Sequence, residues 1–162
     1  MAVIGLKSAG LLCALGLLVS PIASSQAPES ENNKQSAQAR AVIGSVADAL
    51  TSGNAADAIA HFDKAFPKYD TLNNDFNGLV NAFYISNEIE ILDEEDAPAE
   101  TKLTVRWAMT LTDLQTYYTE DRTSELNVRL TRKGDKWRIA AFSPISLFDP
   151  AKGATVRSGP KP

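Results

Sequence analysis

The sequence predicts an α+β domain, with three N-terminal helices packed on one face of a curved four-stranded antiparallel sheet. Three observations carry the prediction. Leu103, Val105, Trp107, Met109 and Leu111 are large and apolar, while Thr104, Arg106, Ala108 and Thr110 between them are small or polar. Only a strand with one buried face writes such a two-residue period. Three blocks with apolar residues at helical spacing precede it, and the hairpin signal Lys133-Gly134-Asp135 follows it.

The first helix is expected over Ala37–Ser52, because Val42, Val46, Ala49 and Leu50 share a face and Gly53 follows as a stop. Asn54 then offers an N-cap and Asp57 suits a first turn. Ala55, Ala58, Ile59, Phe62, Ala65 and Phe66 form one stripe, so the second helix is expected over Ala55–Phe66, ended by Pro67. Asp70 is the expected cap of a third helix, Thr71–Phe83, whose apolar face holds Leu72, Phe76, Leu79, Val80 and Phe83.

Strand one is expected over Tyr84–Leu92, with Ile85, Asn87, Ile89 and Ile91 facing inward. Asp93–Pro98 is expected as an acidic turn, Glu100–Thr112 as strand two and Asp113–Asp121 as a polar connection. Strand three, Arg122–Arg132, faces Leu126, Val128 and Leu130 inward. Strand four, Lys136–Ser143, faces Trp137, Ile139 and Ala141 inward and stops at Pro144.

The two ends differ from this domain, expected over Arg40–Pro150. Lys7, the apolar run Ala9–Val19, Pro21 and the small Ala23-Ser24-Ser25 have the layout of a secretory signal peptide cleaved after Ser25. Export to the periplasm or medium is therefore expected. Cys13 raises a lipoprotein anchor, but bulky Leu12 precedes it. Gln26–Gln38 is polar and is expected as a flexible leader, and Ala151–Pro162 as a disordered tail.

Removing Lys7 from the 16 basic residues leaves 15 against 20 acidic ones, a net charge of −5. An acidic domain without a basic run argues against nucleic acid and anionic membranes as partners. The one cysteine leaves with the export segment, so no disulfide is expected. One histidine and no further cysteine give no metal set, and Asp93-Glu94-Glu95-Asp96 lacks the glycine and spacing of a calcium loop. No cofactor is expected, since neither a phosphate-cradling glycine loop nor a serine elbow is present.

The chain resembles the nuclear-transport-factor-2-like superfamily, which includes ketosteroid isomerase. The resemblance rests on Leu50-Thr51-Ser52-Gly53, on His61-Phe62-Asp63, on the strand Gly134-Asp135-Lys136-Trp137-Arg138-Ile139, and on Phe142-Ser143-Pro144 with Phe148. It implies a cone whose interior holds a ligand, carries catalysis, or serves only a dimerising module. It also implies a short strand between the second and third helices, for which Phe66-Pro67-Lys68-Tyr69 leaves little room.

Four residues are candidates for a ligand pocket. Asn87 is the lone polar group on the inner face of strand one, and either meets a ligand or bonds to nearby backbone. Trp107 faces the same interior. His61 stands at the edge of the second-helix stripe, four residues after Asp57, and Asp63 lies just outside that stripe.

Isomerase-type relatives need a pocket acid and hydrogen-bond donors. The inward residues Leu103, Val105, Trp107, Met109, Leu111, Leu126, Val128, Leu130, Trp137 and Ile139 include no ionisable group. No catalytic residue is therefore assigned. A non-enzymatic module binding a small apolar ligand or dimerising is the expected function, with an isomerase- or dehydratase-like pocket enzyme as the alternative. A homodimer would use the open sheet face, where Arg106, Ala108, Arg129, Arg138, Ala140 and Phe142 are the candidates.

Overall fold

Residues 27–152 are described by a computed structural model, with side chains from 33 onward. The expected signal segment with Cys13, and the tail beyond Lys152, lie outside the described residues. Three helices come first: α1 (Ala27–Thr51), α2 (Ala55–Ala60) and α3 (Tyr69–Ala82). Four strands follow: β1 (Phe83–Ala97), β2 (Glu100–Asp113), β3 (Thr119–Lys133) and β4 (Lys136–Ser143). A 3-10 turn, η1 (Ile145–Phe148), closes the domain. The sheet runs β1-β2-β3-β4, antiparallel throughout, and the helices cover one face of it. This is the predicted α+β architecture.

α1 begins ten residues before its expected start, so much of the segment predicted as a leader is helical. Ahead of its buried stripe Ala39, Ile43, Val46 and Leu50, Gln35 Nε2 donates to the Ala97 carbonyl at 2.6 Å, and Ser36 Oγ donates to Asp96. At its other end Gly53 takes φ of +70°, and Asn54 N–H closes back onto the Ala49 carbonyl at 2.8 Å. This is the expected glycine stop, in a conformation that glycine adopts without a Cβ penalty.

α2 is shorter than its stripe. It ends at Ala60, and His61–Asp63 instead pairs in parallel with the free edge of β4: Ile139 N–H donates to the His61 carbonyl at 3.0 Å, and Asp63 N–H to the Ile139 carbonyl at 2.8 Å. An edge strand carries unpaired backbone groups, and satisfying them outweighs one more helical turn. The short strand position for which little room was expected is thus filled by Phe62. Likewise α3 starts at Tyr69, with Lys68 as N-cap and Asp70 inside the first turn rather than capping it.

Two bulges break the counting along the sheet. Ile91 pairs with Val105 but Asp93 with Thr104, which leaves Leu92 as an extra residue. Beyond it β1 continues to Ala97, so the predicted acidic turn is strand, and Glu94 and Asp96 pair with the buried Leu103 and Thr101 on the helix-facing side. There Arg40 Nε donates to Glu94 at 2.6 Å, and Thr101 Oγ1 to Asp96 at 2.7 Å. The second bulge is Ala140: Arg129 pairs with Ala141 and Leu130 with Ile139. After it inside and outside exchange, so Ala141 faces out and Phe142 faces the core, the reverse of the expectation.

The core is one cluster that joins all the elements, with Trp107, Phe76, Phe142 and Phe148 among its largest buried side chains. The segment after β4 completes it. Leu147 and Phe148 are fully buried, and Pro150 packs on Gly78 of α3. A Cβ built on Gly78 would lie 2.8 Å from Pro150 Cγ, whereas one on Gly44 of α1 meets nothing within 4 Å. Alanine is favoured over glycine in a helix interior by about 0.8–1 kcal/mol. Gly44→Ala is therefore expected to stabilise the fold by about that amount, and Gly78→Ala to destabilise it. Urea unfolding of the two variants checks the opposite signs.

Candidate functional site

The predicted pocket residues Asn87 and Trp107 meet each other. Trp107 Nε1 donates to Asn87 Oδ1 at 2.8 Å, and Asn87 Nδ2 donates to the Ala47 carbonyl at 3.1 Å and to Thr51 Oγ1 at 3.0 Å. The carboxamide thus fastens the last turns of α1 to the sheet, with both its polar atoms engaged. The Trp107 ring is fully buried and meets Phe148 edge-on at 5.2 Å and Phe142 at 6.1 Å. Phe148 also meets Phe76 at 5.3 Å and Phe142 at 5.5 Å. Phe76, Trp107, Phe142 and Phe148 thus form one cluster of mutually packed rings in the core.

His61 and Asp63 lie instead at the outer edge of β4. Burial pushes the His61 imidazole below its ordinary value; Asp57 raises it and Arg138 lowers it further. Asp63 is held below the usual carboxylate range by its ion pair with Lys133, helped by the Ala65 N–H. Asp63 and Lys133 border a cleft of about 520 Å³ between α2 and the β3–β4 hairpin. The four predicted pocket residues therefore belong to two places, with His61 and Asp63 outside the cone.

The inner sheet face does carry ionisable groups, contrary to expectation. Met109 pairs with Arg122 and Leu111 with Glu120, so both charged residues face the core. The Arg122 side chain is 2% exposed; Nε donates to Glu120 Oε1 at 2.7 Å, and Nη1 to the Leu147 and Asp149 carbonyls at 3.1 and 2.7 Å. Arg122 thereby ties down the segment that carries Phe148. Its even number, shared with Leu126 and Val128, was the signal available in the sequence.

Asp75 of α3 stands near Asp149. Burial first, and then the Asp149 charge, raise its carboxyl above the ordinary value. A raised acid contributes stability that is present below its unfolded pKa of about 3.9 and is lost as pH rises through the folded value. Asp75→Asn is therefore expected to raise the melting temperature at neutral pH, with the difference closing near about pH 3. Melting curves at both pH values check the sign.

The opposite face of the sheet is laced with charge. Arg106 Nη1 lies 2.6 Å from Glu90 and Nη2 3.7 Å from Glu125; Lys102 pairs with Glu95 and Arg129 with Glu100, each at 3.2 Å. Ala108 and Thr110 follow Arg106 on the same face, and Thr110 Oγ1 donates to Asp121 at 2.7 Å. A shallow cleft of about 350 Å³ opens beside Thr104, Asn127, Arg129 and Ala141. Three of the six interface candidates thus remain on this face: Arg106, Ala108 and Arg129. Phe142 is 2% exposed and belongs to the core. Ala140 is the bulged residue, and Arg138 turns over the β4 edge to donate to the Ala60 carbonyl.

Among the described residues, no group of three or more His, Cys, Asp or Glu is placed to hold a metal, and no helix is long and apolar enough to cross a membrane.

No family model and no curated protein matches the chain. Solved structures do. A protein of unknown function from Mycobacterium tuberculosis superposes with a TM-score of 0.63 at 13% identity, covering 73% of this chain and 75% of that one. A ketosteroid isomerase-like protein from Erwinia carotovora atroseptica gives 0.56 at 15%, covering 68% and 94%. A nuclear-transport-factor-2-like superfamily protein from Salmonella enterica serovar Typhimurium gives 0.53 at 9%, covering 70% and 92%. At these identities the likeness is one of fold: the chain has the nuclear-transport-factor-2-like cone.

Proposed function

We propose that this chain, a nuclear-transport-factor-2-like cone by its fold, is an exported, non-enzymatic interaction domain that pairs with a second copy through the open face of its sheet. The observation that supports the non-enzymatic part of this reading is the ring cluster of the core, in which Trp107, Phe142 and Phe148 pack against one another. The open face suits self-association because it is charged in both senses. Under a two-fold axis one patch meets its own copy, and a surface with Glu90, Arg106 and Glu125 side by side offers each cation an acid on the partner. Small Ala108 and Thr104 allow close approach, and exposed Tyr84 stands at one end of the face.

Sedimentation equilibrium of the chain from Gln26 onward tests the pairing. A dimer mass that falls to the monomer mass in Ala108→Arg, with circular dichroism unchanged, is the expected result. A monomer in the unsubstituted chain overturns it. Export belongs to the same proposal: the protein purified from its own host should have an intact mass starting at Gln26. A mass retaining residues 1–25, or a lipid on Cys13, counts against it.

A pocket enzyme of the isomerase or dehydratase kind is the second reading. The ionisable residues Glu120 and Arg122 on the inner sheet face favour it. It requires Leu147 and Phe148 to leave the cone before any substrate enters.

A further inference from the structure

We propose that the cleft between α2 and the β3–β4 hairpin binds a small apolar carboxylate, a molecule with a ring or short aliphatic body and one anionic head. The cleft, about 520 Å³, falls in the size range of small-molecule sites and lies outside the cone. Its apolar lining is the exposed methyl groups of Ala56 and Ala60 and the half-buried Tyr69, which lie over the buried Ile59 and Phe62. Its rim is cationic. Lys64, Lys133 and Arg138 converge on it from three parts of the chain, against one acid, Asp63.

A local excess of two positive charges is out of keeping with a protein of net charge −4. The single acid is already committed, since Asp63 accepts from Lys133 and from the Ala65 N–H. Arg138 donates Nη1 to the Ala60 carbonyl at the end of α2, and among the described residues its Nε and Nη2 have no hydrogen-bond partner. Lys64 is exposed at the rim. Charge-assisted hydrogen bonds from Arg138 and Lys64 would hold the carboxylate, and Ala56, Ala60 and the Tyr69 ring its apolar body. A purely inorganic anion would leave the Ala56 and Ala60 methyl groups and the Tyr69 ring uncovered, and a neutral aromatic would leave the cations unanswered.

The probes are benzoate, its neutral analogue benzamide, and inorganic phosphate, each titrated into the isotope-labelled mature chain and followed by NMR. Benzoate is expected to saturate, with shifts centred on Ile59, Phe62 and Tyr69. Benzamide should bind about tenfold more weakly, and Lys64→Glu should weaken benzoate by about the same factor. Because Lys64 is exposed, its charge reversal leaves the packing intact, which an unchanged amide spectrum verifies. Added salt should weaken benzoate further. Equal affinity for benzamide, phosphate binding as well as benzoate, shifts centred on Trp107, or no saturation each overturn the proposal. The sedimentation result does not enter, so this site and the dimer stand or fall separately.

Discussion

Phe148→Ala is expected to cost the fold about 3–5 kcal/mol, the range for deleting a fully buried phenylalanine. The ring is 0% exposed and touches Phe76, Trp107 and Phe142, three rings carried by three different elements. Removing it takes away the transfer energy of the side chain and leaves a void that those rings cannot close without abandoning one another. Urea unfolding followed by tryptophan fluorescence measures the loss. A loss below about 1 kcal/mol would mean that the residue only covers the surface. The same variant probes the cone. An apolar void of this kind stays dry and takes up small hydrocarbons. Benzene is therefore expected to stabilise Phe148→Ala and to leave the unsubstituted protein unchanged.

Arg122→Met is expected to cost about 2–3 kcal/mol, because it breaks a part-buried ion pair and leaves two carbonyls without their donor. Methionine fills much of the volume, so the effect is chiefly electrostatic and polar. Glu120 loses its cation, and the Leu147 and Asp149 carbonyls lose their donor. Adding Glu120→Gln should restore part of the loss by removing the uncompensated charge, which a double-mutant cycle would show as coupling. Arg122→Lys should rescue little, since an ammonium cannot reproduce the planar fork that serves Glu120 and two carbonyls at once. Faster limited proteolysis after Ser143 in Arg122→Met would show that the arginine holds the closing segment. Unchanged proteolysis and stability would reduce it to a bystander.

The two variants act on one feature, the short stretch after β4 that packs Leu147 and Phe148 into the core. Nothing in its sequence announces that role. Leu147 and Phe148 lie in a single 3-10 turn without periodicity, and their burial depends on Arg122 and on the gap at Gly78, residues far away in the chain. Arg122 itself was legible, since its parity matches Leu126 and Val128. Asn87 was legible as a buried polar group in need of a partner, although the choice between ligand and backbone was not. Its partners Ala47 and Thr51 lie on α1, 40 and 36 residues away.

Other departures share one cause. Alternation reads correctly from Leu103 to Leu111 because no bulge interrupts β2. It misreads Glu94, Asp96 and Phe142 because the extra residues Leu92 and Ala140 carry no glycine or proline to mark them. Ala55–Phe66 reads as one helical stripe, yet Phe62 is buried equally well as a strand residue. The unpaired edge of β4 settled its conformation.

By itself the sequence determined the element types, their order, the face of each that is apolar, and the glycine turns at Gly53 and Gly134. These follow from the periods of 3.6 and 2 that backbone geometry imposes locally. Only the tertiary structure decided where the bulges fall, where α2 stops, which strand edge is paired, and that the C-terminal turn packs into the core. Each of those depends on a partner distant in the chain, and a shift of one residue there reverses inside and outside without altering any local preference.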